Sequence, residues 1–167
     1  MARMDELDLP ERLFLKGYPF KRFAPRPNDP VTTTMTPLRK PMAECTVALA
    51  TTAGLSLPGQ PPFDKTIKMG DSSFREIPSY VSLESLEMNH RSWAFDYRGV
   101  MRDRNLALPL DRLREMQKRG AIGAIAPHHY SLMGSIVGPA KLIKASAPEV
   151  ARRLVADSVD VVLLTPF

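Results

Sequence analysis

The residues of this sequence that could do chemistry are few. Pro127-His128-His129-Tyr130 places two imidazoles and a phenol in consecutive positions, groups able to hold a polar ligand or carry a proton near neutral pH. His90 follows the short apolar run Leu86-Glu-Met88. Thr51-Thr52-Ala53-Gly54 ends an apolar run with two hydroxyls and a residue that tolerates a tight turn. Thr165 stands at a third such end, in Thr165-Pro166-Phe167. Arg75 and Glu76, inside Gly70-Asp-Ser-Ser-Phe-Arg-Glu-Ile-Pro78, form either a surface ion pair or part of a loop capping a site. His129 is open to two readings: a ligand-facing group, or a histidine whose ring is satisfied by backbone hydrogen bonds. A metal role for His90 with His129 lacks a further ligand at metal-site spacing, so no metal is expected. The single cysteine, Cys45, opens an apolar run and reads as an inert core thiol.

These groups need strands to position them. Cys45-Thr-Val-Ala-Leu-Ala-Thr51 is apolar on both faces, the pattern of a strand inside a parallel sheet. Leu110-Asp-Arg-Leu-Arg-Glu-Met-Gln-Lys-Arg119 carries a helical stripe, with Pro109 before it and Gly120 after it. Ala121-Ile-Gly-Ala-Ile-Ala126 reads as a short strand ended by Pro127. Ser146-Ala-Pro-Glu149 has capping-box form, and Val150, Ala151, Leu154 and Val155 make one apolar stripe behind it. Val159-Asp-Val-Val-Leu-Leu164 is a strongly β-prone run. Strand, helix, strand, helix, strand predicts an α/β fold: a mainly parallel sheet with helices on both faces, in Rossmann-like or flavodoxin-like layers. Ligands of such sheets collect beyond the carboxyl ends of the strands. Thr51, Thr52, Gly54, His90, His129, Tyr130 and Thr165 are therefore the pocket candidates, with Arg75 and Glu76 as loop candidates.

Eleven of the 16 prolines fall in residues 1–78, six of them in residues 19–41. Proline removes a donor and fixes φ, so residues 1–41 are expected to form an extended arm, with a short helix near residues 9–16. Residues 42–167 are expected to form the α/β domain. Residues 55–81 read as a long loop broken by Pro58-Gly59, Pro61-Pro62 and Pro78. With a net charge of +5, nucleic acid deserves consideration, but the basic residues are scattered. Their densest stretch, residues 98–119, also carries Asp103, Asp111 and Glu115, so a solvated face is expected and no nucleic-acid partner. No apolar run approaches the length of a membrane span, and the first ten residues have no signal-peptide core, so the expected location is the cytoplasm.

Several short pieces then occur in a telling order: Pro37-Leu-Arg-Lys-Pro41, Thr51-Thr-Ala-Gly54, Pro61-Pro-Phe-Asp64 and Gly70–Pro78, then Leu108-Pro-Leu-Asp-Arg-Leu-Arg-Glu115, Ala126-Pro-His-His-Tyr-Ser-Leu-Met-Gly134, Pro148-Glu-Val-Ala-Arg152 and Val161-Val-Leu-Leu-Thr-Pro166. Over residues 35–166 the series resembles the selenoprotein B family of glycine, sarcosine, betaine and D-proline reductases, nearest the short D-proline reductase-like members. The family often has a basic residue where His128 stands, so His129 and Tyr130 are the better matched pair.

The resemblance implies reductive cleavage of a C–N bond in an amino acid or related amine. A selenocysteine or cysteine attacks the carbon bearing nitrogen, a pyruvoyl group on a partner subunit holds the amine as an iminium, and a thiol reductant supplies electrons. The redox residue is expected just after the Leu-Leu-Thr-Pro strand, beyond Phe167, so the catalytic residue is unknown within this chain. The α/β domain is then incomplete at its C-terminus, as an in-frame UGA read as a stop would leave it. This chain alone is expected to hold no cofactor and to be inactive, and an oligomer is allowed. The alternative is a redox-inactive homologue that binds a small molecule or serves as a structural subunit.

Overall fold

The computed structural model describes residues 36–92 and 97–167. The chain divides into two compact units, Met1–Pro37 and Leu38–Phe167, and the fold described is that of the second. The expected arm falls mostly in residues 1–35, and the helix near residues 9–16 wholly so; these lie outside the described residues.

The second unit is a mixed α/β fold with a mainly parallel sheet. Its central strand is β1 (Thr46–Thr51), apolar on both sides as expected. The short β2 (Leu55–Ser56) follows, then β3 (Phe74–Pro78), β4 (Glu87–Met88), β5 (Ala124–Ile125), β6 (His128–Leu132) and β7 (Val161–Thr165). β7 runs parallel to β1 along its whole length, from Val47 opposite Val161 to Thr51 opposite Thr165. On its other edge β1 meets β5 and then β6, both parallel, with Thr46 opposite Ala124 and Ala50 opposite Tyr130. β3 lies beyond β6 and is antiparallel to it. β2 and β4 form a separate antiparallel pair.

Two corrections follow for the sequence reading. Residues 128–132, read as a turn leaving a strand, are themselves a strand. Pro127 has no N–H to donate, so it interrupts the ladder between β5 and β6 without ending the path. Residues 55–81, read as loop, contain β2 and β3. Phe74-Arg-Glu-Ile-Pro78 carries two charges and a proline, yet it is an edge strand, where a missing donor costs nothing.

Among the described residues three helices accompany the sheet: α1 (Tyr97–Arg102), α2 (Leu110–Lys118) and α3 (Ala147–Ala156). α2 buries Leu110 and Leu113 in a core that includes Val47, Leu49, Ile77 and Ile122. Burial of each such side chain contributes about 1.5–3 kcal/mol. The helix ends as its sequence requires. Gly120 takes φ +72°, and the Ala121 N–H donates to the Met116 carbonyl at 2.9 Å.

α3 lies against the opposite face. Strand alternation puts Phe74, Glu76, Tyr130 and His128 on that face, and Arg153 of α3 sits 5.2 Å over the Phe74 ring. The expected capping box does not form. Ser146 has helical angles because a π-helical turn, Leu142–Ser146, already precedes α3, and Glu149 binds Arg152 and Arg153 instead. Nor does the apolar stripe pack as a unit. Val150 is buried, whereas Val155 is 77% exposed, because the helix is held to the sheet largely through Arg153 and Asp157. No helix among the described residues is long and apolar enough to cross a membrane.

Candidate functional site

β1, β6 and β7 are parallel neighbours, so their carboxyl ends converge. Thr51 Oγ1 accepts the Ala53 N–H at 3.2 Å and donates to the Thr165 carbonyl at 3.3 Å. Thr165 in turn donates its hydroxyl to the Ala107 carbonyl at 2.8 Å. Thr52 Oγ1 holds both polar groups of Phe167, accepting its N–H at 2.7 Å and donating to its carbonyl at 3.1 Å. The three threonines, with Leu132, Leu164 and Pro166, line a cavity of about 240 Å³. Gly54 bends the chain away with φ +69°, and the Asn89 carbonyl oxygen lies 2.9 Å from the place a Cβ would occupy.

His90 reaches the same end of the sheet and is 3% exposed. Its Nδ1 accepts the Ser92 N–H at 3.0 Å, so in the neutral ring the proton sits on Nε2. Burial lowers its pKa, and the charge of Lys65 acts in the same direction. Gly134 is the cradle of this corner. A Cβ built there would lie 2.7 Å from the Phe167 carbonyl oxygen, 2.8 Å from His90 Nε2 and 3.3 Å from the Thr52 carbonyl oxygen. A buried ring that can donate, two carbonyls and the last residue of the chain thus meet around one glycine. The sequence reading named Phe167 only as the point beyond which the redox residue is expected, and did not single out Gly134. A glycine directly after Leu132-Met133 was the available signal.

Among the remaining candidates, His129 and Tyr130 do not line this cavity. His129 shares a sheet face with Ile77, toward the core. Its Nδ1 accepts the Leu49 N–H at 3.1 Å, standing in for a ladder carbonyl, while the Pro127 carbonyl accepts the Ser79 N–H at 2.8 Å. Burial pushes its pKa down to about 4, with Arg114 and His128 adding to the shift. Tyr130 lies on the α3 face, edge-on to Phe74 at 5.8 Å, and burial followed by the nearby Glu76 charge pushes its pKa up to about 12. Arg75 and Glu76 do not pair. They alternate across β3, so Arg75 stacks 4.2 Å over Phe63 and donates to the Pro61 and Pro62 carbonyls. Glu76 instead binds Arg153 at 2.8 Å and faces His128 at 3.7 Å. Cys45 is fully buried at the opposite end of β1, about 20 Å from Thr52 by strand rise. Among the described residues no group of three histidine, cysteine or carboxylate side chains could hold a metal ion.

The strand ends therefore enclose an apolar cavity whose threonine hydroxyls bond the chain's own backbone and fix where it leaves the sheet, with the chain's only thiol far away. Comparison with known proteins adds what geometry cannot. The family described as glycine/sarcosine/betaine reductase selenoprotein B matches residues 13–166. The chain is 34% identical over 151 residues to the D-proline reductase subunit gamma of Acetoanaerobium sticklandii, covering 90% of this chain and 59% of that protein. It is 29% identical over 131 residues to the glycine reductase complex component B subunit gamma of Peptoclostridium acidaminophilum, covering 75% of this chain and 28% of the relative. A similar match, 29% over 136 residues, joins it to that organism's sarcosine reductase complex component B subunit beta, with 77% and 29% covered. The chain thus spans less than two thirds of these relatives' lengths. No solved structure matches the chain significantly.

Proposed function

The chain belongs to the glycine/sarcosine/betaine reductase selenoprotein B family, and from that premise we propose that it is a subunit of a complex that reductively cleaves a C–N bond of an amino acid or related amine. The observation that carries this reading is the meeting of Thr52, His90 and Gly134 with Phe167 at the ends of β1, β6 and β7. A selenol or thiol from a reading frame continuing past Phe167 supplies the nucleophile, a pyruvoyl group on a partner subunit supplies the carbonyl that holds the amine, and a thiol reductant supplies the electrons.

The residues of this chain perform the positioning. Thr52 fixes the main chain at Phe167 through two hydrogen bonds, so whatever follows leaves the sheet in one direction. His90 is held by Ser92 as an Nε2–H donor at that exit. The Thr52 backbone also bonds that ring, so His90 is tied to the strand end from which the chain leaves. Gly134 lets the ring and the exit approach. The whole subunit, on this reading, completes a Rossmann-like or flavodoxin-like layering and works in the cytoplasm, where thiols stay reduced.

A second reading, a redox-inactive binding or structural homologue, draws on the burial of Cys45, the one thiol in the chain. The nucleotide sequence after codon 167 and the product expressed from it decide between the two. The reductase reading expects an in-frame UGA or cysteine codon followed by further coding sequence. It also expects dithiol-dependent release of amine when that product is combined with its complex. A frame without either residue, or a product inert in the complex, favours the second reading.

A further inference from the structure

Two loops pack on each other beside the carboxyl end of the sheet. The Val137 and Gly138 N–H groups both donate to the Met69 carbonyl at 3.1 Å, and a Cβ built at Gly70 would lie 3.0 Å from the Ser135 carbonyl oxygen. Ser135 follows Gly134, so these loops border the corner where Phe167 meets Thr52 and His90. Arg91, next to His90, ties into the first loop through Nη1, which donates to the Ile67 and Lys68 carbonyls.

This rim is positive. Lys65 and Lys68 are exposed and Arg91 is half-buried. Among the described residues none of the three pairs with a carboxylate. The charge of Lys65 is felt as far as His90. The two acids of the first loop are engaged by its own backbone. Asp64 accepts the Thr66 N–H at 2.8 Å, and Asp71 accepts the Asp64 and Ser73 N–H groups, each at 2.9 Å. The second loop has no acid at all, since no aspartate or glutamate occurs from residue 116 to residue 148.

The rim is also apolar. Ile67 is 40% exposed, and Met69 and Val137 are each 55% exposed. At the same end of the sheet opens the cavity of about 240 Å³, where the threonine hydroxyls bond backbone and leave methyl groups beside Leu132, Leu164 and Pro166. Its volume lies below the roughly 300–1,000 Å³ of sites for drug-sized ligands and suits a single inserted side chain. An apolar pocket for one anchor, with charges around it, is the anatomy of a protein–protein contact.

The same features select the class of partner. A second copy of this chain would bring identical cations to the face and be repelled. A nucleic-acid strand would meet the cations but leave Ile67, Met69, Val137 and the cavity unmatched. A bilayer surface is entered by the apolar face of an amphipathic helix, whereas these side chains stand on loops. An acidic protein segment with an apolar side chain matches both the charge and the cavity.

We propose that this rim is a docking surface for an acidic segment of a partner protein, its carboxylates on Lys65, Lys68 and Arg91 and one apolar side chain in the cavity. The surface is the same whether or not the chain serves a reductase.

The test is fluorescence anisotropy of the 167-residue chain with a short fluorescein-labelled peptide of glutamates around one central leucine. The peptide should bind saturably and more weakly as salt is raised. Reversing both exposed lysines, Lys65→Glu with Lys68→Glu, should weaken it by about tenfold or more. Alanine in place of the peptide's leucine should weaken it by about tenfold, the loss of one buried anchor. Absence of saturable binding overturns the proposal, as does affinity unchanged by the lysine reversals or by loss of the leucine. Oligouridine or phosphatidylserine vesicles competing as tightly as the peptide would also overturn it, assigning the rim to nucleic acid or to membrane.

Discussion

The imidazole of His129 takes the place of a backbone carbonyl, its Nδ1 accepting the Leu49 N–H at 3.1 Å in the middle of the sheet. The ring must be neutral to do so, and its burial holds the pKa at about 4 against an ordinary 6.5. The unfolded chain binds a proton at His129 first as pH falls. The associated stability is thus present above about pH 6.5 and is lost between about 6.5 and 4. The full shift corresponds to about 3 kcal/mol. Urea unfolding across this range should show that loss in the native sequence, and His129→Gln should flatten this part of the profile. Parallel profiles for the two proteins would show that His129 titrates normally in the folded state.

Two glycines with positive φ separate strain from space. At Gly120 nothing lies within 4 Å of an added Cβ, so Gly120→Ala meets only the left-handed backbone penalty, about 1–2 kcal/mol. At Gly54 the same penalty is joined by a backbone carbonyl oxygen 2.9 Å away. Gly54→Ala should therefore lose roughly 1–3 kcal/mol more than Gly120→Ala in the same unfolding experiment. Equal losses would mean that the approach of Asn89 to Gly54 is not close in solution.

Thr52→Val removes both hydrogen bonds to Phe167 while keeping the side chain's size. The stability loss should be on the order of 1 kcal/mol. The more telling readout is local: the Phe167 amide should become mobile on the nanosecond scale in ¹⁵N relaxation, while Thr165, paired in β7, stays rigid. An unchanged Phe167 would show that Thr52 does not set the direction in which the chain leaves the sheet.

Much of the fold was legible because the relevant residues act locally. The run 45–51 is apolar on both faces and became the central strand, and Gly120 closes α2 as a left-handed residue must. What escaped depends on distant partners. Phe74-Arg-Glu-Ile-Pro78 carries no strand pattern of its own; β6 on one side and Arg153 on the other make it one. Pro127 looked like the end of a path, yet β1 pairs on both sides of it, and the ring of His129, reaching Leu49 from 80 positions away, bonds the stretch between. Ser146 looked like a cap because sequence cannot show that helical turns already precede it. At the strand ends, Thr51, Thr52, Gly54, His90 and Thr165 come together, but the cradle at Gly134 depends on where Phe167 arrives.

The central claim is that this chain positions a redox residue it does not itself contain, and alkylation tests it most directly. Iodoacetamide at mildly acidic pH is applied to the native 167-residue chain and to the product of the continuing reading frame, with sites assigned by mass spectrometry. Cys45 is 0% exposed, so it should label only after unfolding. The continuing product should label rapidly at a selenol or thiol following Phe167. Rapid labelling of Cys45 in the native short chain, or a continuing product with no reactive group, would contradict the account.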